Sequence, residues 1–227
     1  MSTPLVLVGG AGLTEWIWDD LRERLPVDSA VGRYPSRKDA GLDDYADEVL
    51  SQVEWPTFTL VAHSLGGVVA SQMVARAPER VAGFLAISAC IPASGESFLG
   101  SLPRPQGLFM GLIVRALGTK PPDKQIRSGL GAGLPADVAE RIVTGFAAES
   151  RAVYRDPVST RIFPRHRGYL FTTRDNQFST SQQQRYAREL DATWNRSIDT
   201  GHMPMLEDPD GLARVVTEFR TTASHAS

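Results

Sequence analysis

The chain of 227 residues carries a formal net charge of −2, which argues against a nucleic-acid-binding protein and against charge-driven binding to a membrane surface. Its single cysteine, Cys90, excludes an intramolecular disulfide. No window approaches the roughly 18 uninterrupted apolar residues of a membrane span, and Met1 is not followed by the basic segment of a signal peptide. We therefore expect a single domain over residues 1–227, located in the cytoplasm.

The first third of the sequence alternates short apolar runs with amphipathic stretches. Residues 5–8 form a continuous apolar run ended by glycines, which is typical of a buried parallel strand. A helix is predicted from Thr14 to about residue 26, and a weak strand at 29–33. Apolar residues on one face predict a helix over 42–53, and a β-branched run predicts a strand over 58–62.

The same alternation returns in the rest of the chain. The further predicted elements are a helix ending near Pro78, strands at 81–88, 168–173 and 192–198, and helices at 180–190 and 209–221. Strands that alternate with helices indicate a doubly wound, mostly parallel sheet, so the predicted fold class is α/β.

One segment interrupts this rhythm. Residues 91–167 hold many of the prolines and glycines, followed by a helical pattern from Pro135 to about Tyr154. We predict that this segment is a helical lid, inserted after the strand that follows the helix ending near Pro78.

A pentapeptide at the end of the strand 58–62 carries the clearest chemical signal. Ala62, His63, Ser64, Leu65 and Gly66 form a small-x-Ser-x-small pattern between a predicted strand and a predicted helix. This is the sequence form of a nucleophile elbow, in which a strained turn exposes a serine hydroxyl above the carboxyl edge of a sheet. Ser64 is therefore the candidate nucleophile.

A serine hydroxyl needs a base, and the base needs a carboxylate to orient it. His202 lies in the loop between the last predicted strand and the last helix, and Asp175 follows the strand 168–173. The order Ser64, Asp175, His202 is typical of α/β-hydrolases. The other carboxylates that stay open as the acid are Glu96, Asp156 and Asp199.

An ester-cleaving serine also requires two N–H donors for the oxyanion of its tetrahedral intermediate. Leu65 follows the nucleophile directly and supplies one candidate N–H group. Ala11 supplies the other from the glycine-rich turn at residues 9–12. His63 is interpreted as a support behind the elbow, because its side chain points away from the nucleophile face.

Five short motifs give the chain a family resemblance. They are Leu7-Val8-Gly9-Gly10-Ala11, Trp16-Ile17-Trp18, Ala62-His63-Ser64-Leu65-Gly66-Gly67, Asp175-Asn176-Gln177-Phe178 and Gly201-His202-Met203. The chain resembles the plant methylesterase and hydroxynitrile lyase group of α/β-hydrolases. The resemblance implies the α/β-hydrolase fold and the triad roles given above, and it departs at Gly9, where the family usually has a histidine.

Two positions separate the esterase and lyase branches of that group. The lyases carry a threonine after the histidine of the oxyanion turn and a lysine after the catalytic histidine; here these positions are Gly10 and Met203. The chain therefore resembles the esterase branch. The residues expected to contact substrate are Gly10, Phe98, Leu102, Met110, Phe178 and Met203.

The sequence thus predicts a serine hydrolase of a small, largely apolar carboxylic ester or lactone. No cofactor or metal is expected, since the sequence shows neither a metal-ligand cluster nor a phosphate-binding loop. Three alternatives stay open: a hydroxynitrile lyase, a thioesterase or tailoring enzyme of a biosynthetic pathway, and a slow small-molecule receptor. No oligomeric state is predicted.

Overall fold

A six-stranded sheet runs through the centre of the molecule. The computed structural model describes residues 3–223, with side chains to residue 222. The strands lie in the order β2-β1-β3-β4-β5-β6, and each neighbouring pair is parallel. Their bounds are β1 Leu5–Val8, β2 Ser29–Val31, β3 Phe58–Ser64, β4 Val81–Ala89, β5 His166–Thr172 and β6 Trp194–Ile198. The predicted doubly wound α/β fold is confirmed.

Helices cover both faces of this sheet and fill the connection between β4 and β5. Their bounds are α1 Asp19–Arg24, α2 Leu42–Ser51, α3 Gly66–Arg76, α4 Phe98–Ser101, α5 Arg104–Leu117, α6 Asp123–Gly129, α7 Ala136–Gly145, α8 Arg151–Arg155, α9 Thr180–Glu189, α10 Pro204–Glu207 and α11 Pro209–Ala223. Among the helices so described, none has both the length and the apolarity that crossing a bilayer requires.

The alternation of side chains along the strands divides the core into two layers. In β1, Val6 and Val8 pack on the face covered by α2, α3 and α9, whereas Leu5 and Leu7 pack on the face covered by α1 and α11. All four side chains are fully buried. Burying one such side chain contributes about 1.5–3 kcal/mol, so both layers hold the strand ends firmly in place.

The predicted helix after Thr14 differs from the observed structure. A 3₁₀ turn at Glu15–Trp18 comes first, and α1 begins only at Asp19. Thr14 has the extended backbone of a cap residue, but its side chain makes no capping hydrogen bond.

The predicted single helix from Pro135 to about Tyr154 is wrong. The structure has two helices there, α7 and α8, separated by an extended segment at residues 146–150. Phe146 leaves the helical region with ψ of 114°, and the Ser150 side chain caps the next helix by accepting a hydrogen bond from the Ala152 N–H. The helical pattern continues through this break because α7 and α8 both bury apolar residues.

Candidate active site

Ser64 ends β3 in a conformation that few side chains adopt. Its φ is +53°, in the left-handed region, and α3 begins two residues later. A Cβ atom at Gly66 would lie 2.3 Å from the Val8 carbonyl oxygen, so only glycine allows this close approach of helix and strand. The strand, the strained turn and the helix together form the predicted elbow.

The loop between β6 and α10 brings His202 next to Ser64. His202 Nε2 lies 3.0 Å from Ser64 Oγ, and His202 Nδ1 lies 2.8 Å from Asp175 Oδ2. Residue 202 is only 4% exposed. The three predicted triad side chains, which are separated by up to 138 positions in sequence, therefore form one continuous hydrogen-bonded chain.

The Asp175 carboxylate receives several other hydrogen bonds. Ser88 Oγ and Thr172 Oγ1 donate to Oδ2, and the Gln177 and Phe178 N–H groups donate to Oδ1 at 2.7 Å and 3.0 Å. Burial alone would raise the pKa of Asp175, but the interaction with His202 and the hydrogen bonds from Ser88 and Phe178 lower it below its ordinary value. The carboxylate is therefore ionised at neutral pH and suited to orienting an imidazole.

The other candidate acids are engaged elsewhere. Glu96 pairs with Arg185, Asp156 accepts a hydrogen bond from the Leu42 N–H, and Asp199 binds Thr173 and Arg174. Of the four candidates, Asp175 is the one within hydrogen-bond distance of the His202 ring.

His63 supports the loop that carries His202. Its Nε2 lies 2.8 Å from the His202 carbonyl oxygen, which can only accept, so Nε2 carries the proton. Burial, and then the neighbouring His202, lower the pKa of His63 to about 3, so its ring is neutral. This geometry agrees with the interpretation of His63 as a support rather than a base.

The two predicted oxyanion donors are the backbone N–H groups of Ala11 and Leu65. Neither the Ala11 nor the Leu65 amide donates a hydrogen bond to an acceptor in the described part of the chain. Leu65 adjoins the nucleophile, and Ala11 lines the same cavity as Ser64.

A cavity of about 310 Å³ lies over Ser64 and His202. Four of the six predicted contact residues line it: Phe98, Leu102, Met110 and Phe178. Gly10 is not part of the lining, although a Cβ atom there would lie 2.9 Å from Ser64 Cβ. Met203 is also not part of the lining; its side chain is 2% exposed and belongs to the core layer of α1 and α11.

Comparison with known proteins places the chain in a family. Residues 5–215 match the model of the alpha/beta hydrolase family. The chain belongs to the α/β hydrolase family. The expected membership of the α/β-hydrolases is thus confirmed, and the resemblance to the plant methylesterase and hydroxynitrile lyase group stays a prediction.

Relatives of this α/β hydrolase include a probable esterase from Oryza sativa subsp. indica. It is 30% identical over 106 residues, which are 40% of this chain and 40% of that protein. A pimeloyl-[acyl-carrier protein] methyl ester esterase from Neisseria meningitidis is 31% identical over 120 residues, 49% of this chain and 36% of that protein. The matched segments span less than half the length of either curated relative.

A solved structure resembles this α/β hydrolase over nearly its whole length. It is an extracellular α/β-hydrolase from a Paenibacillus species, described as sharing structural and functional homology with tobacco salicylic acid binding protein 2. Its TM-score is 0.79 at 17% identity, over 95% of this chain and 98% of that one. At this identity, the likeness shows the fold alone.

Sequence reasoning missed several residues of the site in this α/β hydrolase. Ser88 is the next-to-last residue of β4, beside the nucleophile strand, and donates a hydrogen bond to Asp175 from there. Its position was available from the sequence, since the carboxyl ends of neighbouring parallel strands meet at one edge. Phe146 and Leu130, which also line the cavity, lie in irregular parts of the segment between β4 and β5 and had no such signal.

Proposed function

We propose that this α/β hydrolase cleaves a small, largely apolar carboxylic ester or lactone through an acyl-enzyme. One observation carries the proposal: the unbroken chain of hydrogen bonds from Ser64 through His202 to Asp175, 3.0 Å and 2.8 Å long, at the floor of a mainly apolar cavity. The cavity volume of about 310 Å³ suits a small substrate.

In the proposed acylation, Ser64 Oγ attacks the ester carbonyl carbon while His202 Nε2 takes the hydroxyl proton. The Ala11 and Leu65 N–H groups then donate hydrogen bonds to the oxyanion. As the intermediate collapses, the bond to the alkoxy oxygen breaks, and the alcohol leaves with the proton from His202.

Deacylation follows the same steps with water as the nucleophile. His202 takes a proton from water, the hydroxyl attacks the acyl carbon, and a second oxyanion forms. Its collapse breaks the bond to Ser64 Oγ, which recovers a proton from His202, and the carboxylic acid leaves. Asp175 keeps the imidazole in the productive tautomer and stabilises its cationic form throughout.

The lyase alternative has less support. A Cβ atom at position 10 would lie 2.9 Å from Ser64 Cβ and 3.2 Å from His63 Nδ1, so the threonine of the lyase branch does not fit without displacing the elbow. Gly10 therefore favours the esterase branch. Met203 is not among the residues that line the cavity, so Gly10 carries this comparison.

A fluorophosphonate probe and a panel of p-nitrophenyl esters test the proposal together. The panel runs from acetate to longer acyl chains, and a methyl ester is included because the Neisseria relative is named for one. We expect turnover with an optimum at short chains, and a covalent adduct on Ser64 by intact mass and peptide mapping. Cyanide release from a cyanohydrin without ester turnover would instead indicate a lyase.

The variant Ser64→Ala should lower kcat by about three orders of magnitude or more while the fold is retained. The matched control is Ser51→Ala, since Ser51 is exposed at the end of α2, where its hydroxyl donates to the Glu48 carbonyl oxygen. Ester turnover that survives in Ser64→Ala would contradict the mechanism.

We further propose that residues 91–167 act as a lid that shapes the substrate cavity, because α4 and α5 contribute Phe98, Met110 and Val114 to its lining. A cytoplasmic location stays a prediction, which fractionation of cells producing the protein would test.

A further inference from the structure

The turn after β1, at residues 9–12, is called the oxyanion loop because it carries the Ala11 N–H group of the proposed mechanism. It reads Gly-Gly-Ala-Gly, so it has no polar side chain of its own. Its position must therefore be fixed by groups from other parts of the chain that bind its peptide groups.

The segment 146–150 binds both peptide groups of Gly12. The Gly12 N–H donates to Glu149 Oε1 at 2.9 Å, and the Gly12 carbonyl accepts from the Ala147 N–H at 3.1 Å. Gly12 has φ of +71°, and a Cβ atom there would lie 2.2 Å from the Phe146 ring. The loop and the segment thus fit together with no space for a side chain between them.

The Glu149 carboxylate is itself held in place. Tyr45 Oη, fully buried on α2, donates to Glu149 Oε2 at 2.7 Å and accepts from the Ser150 N–H at 2.9 Å. Burial raises the pKa of Glu149, while the hydrogen bonds from Gly12 and Tyr45 oppose this rise. A half-buried carboxylate with both oxygens bonded is a rigid anchor.

A second contact holds the other end of the loop. Tyr34 Oη donates to the Gly9 carbonyl oxygen at 2.6 Å. Ala11 therefore lies between two residues whose backbone is held in place: Tyr34 binds Gly9, and Glu149 binds Gly12, the residue next to Ala11.

From these contacts we propose that Glu149, oriented by Tyr45, is a positioning residue that keeps the Ala11 N–H group directed at the oxyanion. The inference rests on the proposed function, since it assigns Glu149 a role in that same reaction. Within the described part of the chain the Glu149 side chain bonds Gly12 and Tyr45 and makes no hydrogen bond to Ser64 or His202, so its effect on the reaction passes through the oxyanion loop.

The test must separate this role from simple attachment of the segment to the core. Three variants are compared with wild type: Glu149→Ala, Glu149→Gln and Tyr45→Phe. The control is Glu140→Gln, which removes an exposed carboxylate of α7 that pairs with Arg127. Readouts are Tm, kcat and KM with p-nitrophenyl acetate, and the inhibition constant of a trifluoromethyl ketone, which forms an oxyanion on the serine.

For Glu149→Ala we expect kcat to fall roughly 10- to 100-fold with KM within about threefold, because a misplaced donor weakens only the transition state. The inhibition constant of the ketone should rise by the same factor as kcat falls. Glu149→Gln should recover most of the loss, since its amide oxygen can accept from the Gly12 N–H. The kcat of Tyr45→Phe should lie between those of Glu149→Ala and Glu149→Gln.

A wild-type kcat in Glu149→Ala would overturn the inference. A loss of kcat in Glu149→Gln as large as that in Glu149→Ala would also overturn it, because the glutamine retains an acceptor for the Gly12 N–H group. If Glu149→Ala does not fold, Glu149→Gln and Tyr45→Phe test the inference instead. In these two variants the inhibition constant of the ketone should rise by the factor by which kcat falls, and a fall in kcat without that rise would contradict the inference. Failure of the proposed function gives a different result: wild type without ester turnover, or Ser64→Ala with it.

Discussion

The carboxyl edge of the sheet and the helical segment between β4 and β5 are built in opposite ways. At the edge, Val8, Ala62 and Ala89 are fully buried. In the helical segment, α5 leaves Leu108, Phe109, Leu112 and Leu117 between 65% and 78% exposed. The proposed chemistry thus rests on the tightly packed region, while the proposed substrate contacts come from the loosely packed one.

The difference follows from how each region holds its side chains in position. Ser64 ends β3, and Asp175 and His202 lie in the loops that follow β5 and β6, strands that backbone hydrogen bonds hold in the sheet. The lining from α4 and α5 belongs to no such ladder and is tied to the rest of the molecule by side-chain packing and single hydrogen bonds, such as that from Arg185 to the Ser101 carbonyl oxygen. Residues 146–150 likewise join the helical segment to the oxyanion loop by hydrogen bonds.

The largest effect is expected at the sheet edge, in Asp175→Asn. An asparagine cannot serve as the charged partner of His202 Nδ1, so kcat should fall by about 10³- to 10⁴-fold. Steady-state kinetics with p-nitrophenyl acetate give the measurement. The control is Asp199→Asn, an exposed carboxylate beside the same loop, which should leave kcat unchanged. A similar kcat for wild type and Asp175→Asn would remove Asp175 from the triad.

A smaller effect, on substrate choice, is expected in the helical segment for Leu102→Ala. Leu102 is 3% exposed and lines the cavity. Removing its side chain should enlarge the cavity, move the optimum toward acyl chains about two carbons longer and lower KM for those esters about tenfold. The kcat for acetate should stay within about threefold. Leu108→Ala, at an exposed position on α5, should leave the chain-length profile unaltered, and equal profiles for all three proteins would contradict the lid role.

The smallest effect concerns the pH dependence of stability at His63. The pKa of this ring is about 3 in the folded state and 6.5 in an unperturbed chain, so the unfolded state binds the proton first as the pH falls. The free energy of unfolding should therefore decrease below about pH 6.5, by up to about 1.4 kcal/mol per pH unit.

Urea unfolding at pH 7 and pH 5 measures this contribution of His63. His63→Gln keeps a side-chain N–H donor for the His202 carbonyl oxygen but does not titrate. Between the two pH values, wild type should lose about 1–2 kcal/mol more stability than the variant. Equal losses would show that His63 is not held neutral in the fold.

Local patterns predicted the parts of the molecule in which neighbouring residues decide the outcome. Apolar runs at residues 5–8 and 81–88 became β1 and β4, because a buried strand needs little more than a continuous apolar sequence. The elbow was visible for the same reason, since its small residues lie within five positions of Ser64. The order of Ser64, Asp175 and His202 followed from the predicted strands that precede them, which are β3, β5 and β6 in the structure.

Predictions failed where a distant part of the chain competes with a local preference. Residues 135–154 have a helical pattern, yet residues 146–150 leave the helix and bind Gly12 and Tyr45 instead. Met203 follows the histidine of the loop, but its side chain is buried in the core layer of α1 and α11 and is not part of the cavity lining. Neither result can be derived from neighbouring residues, because the partner surfaces lie far away in sequence.

The sequence by itself thus determined the strands, most of the helices around them and the candidate nucleophile and base, since these depend on hydrophobic periodicity and short motifs. Only the tertiary structure decided which carboxylate meets His202, how the oxyanion loop is anchored and which side chains line the cavity. These features depend on hydrogen bonds of about 3 Å between groups more than twenty positions apart, for example 137 positions between Gly12 and Glu149. Such contacts exist only after the sheet has brought its strand ends together.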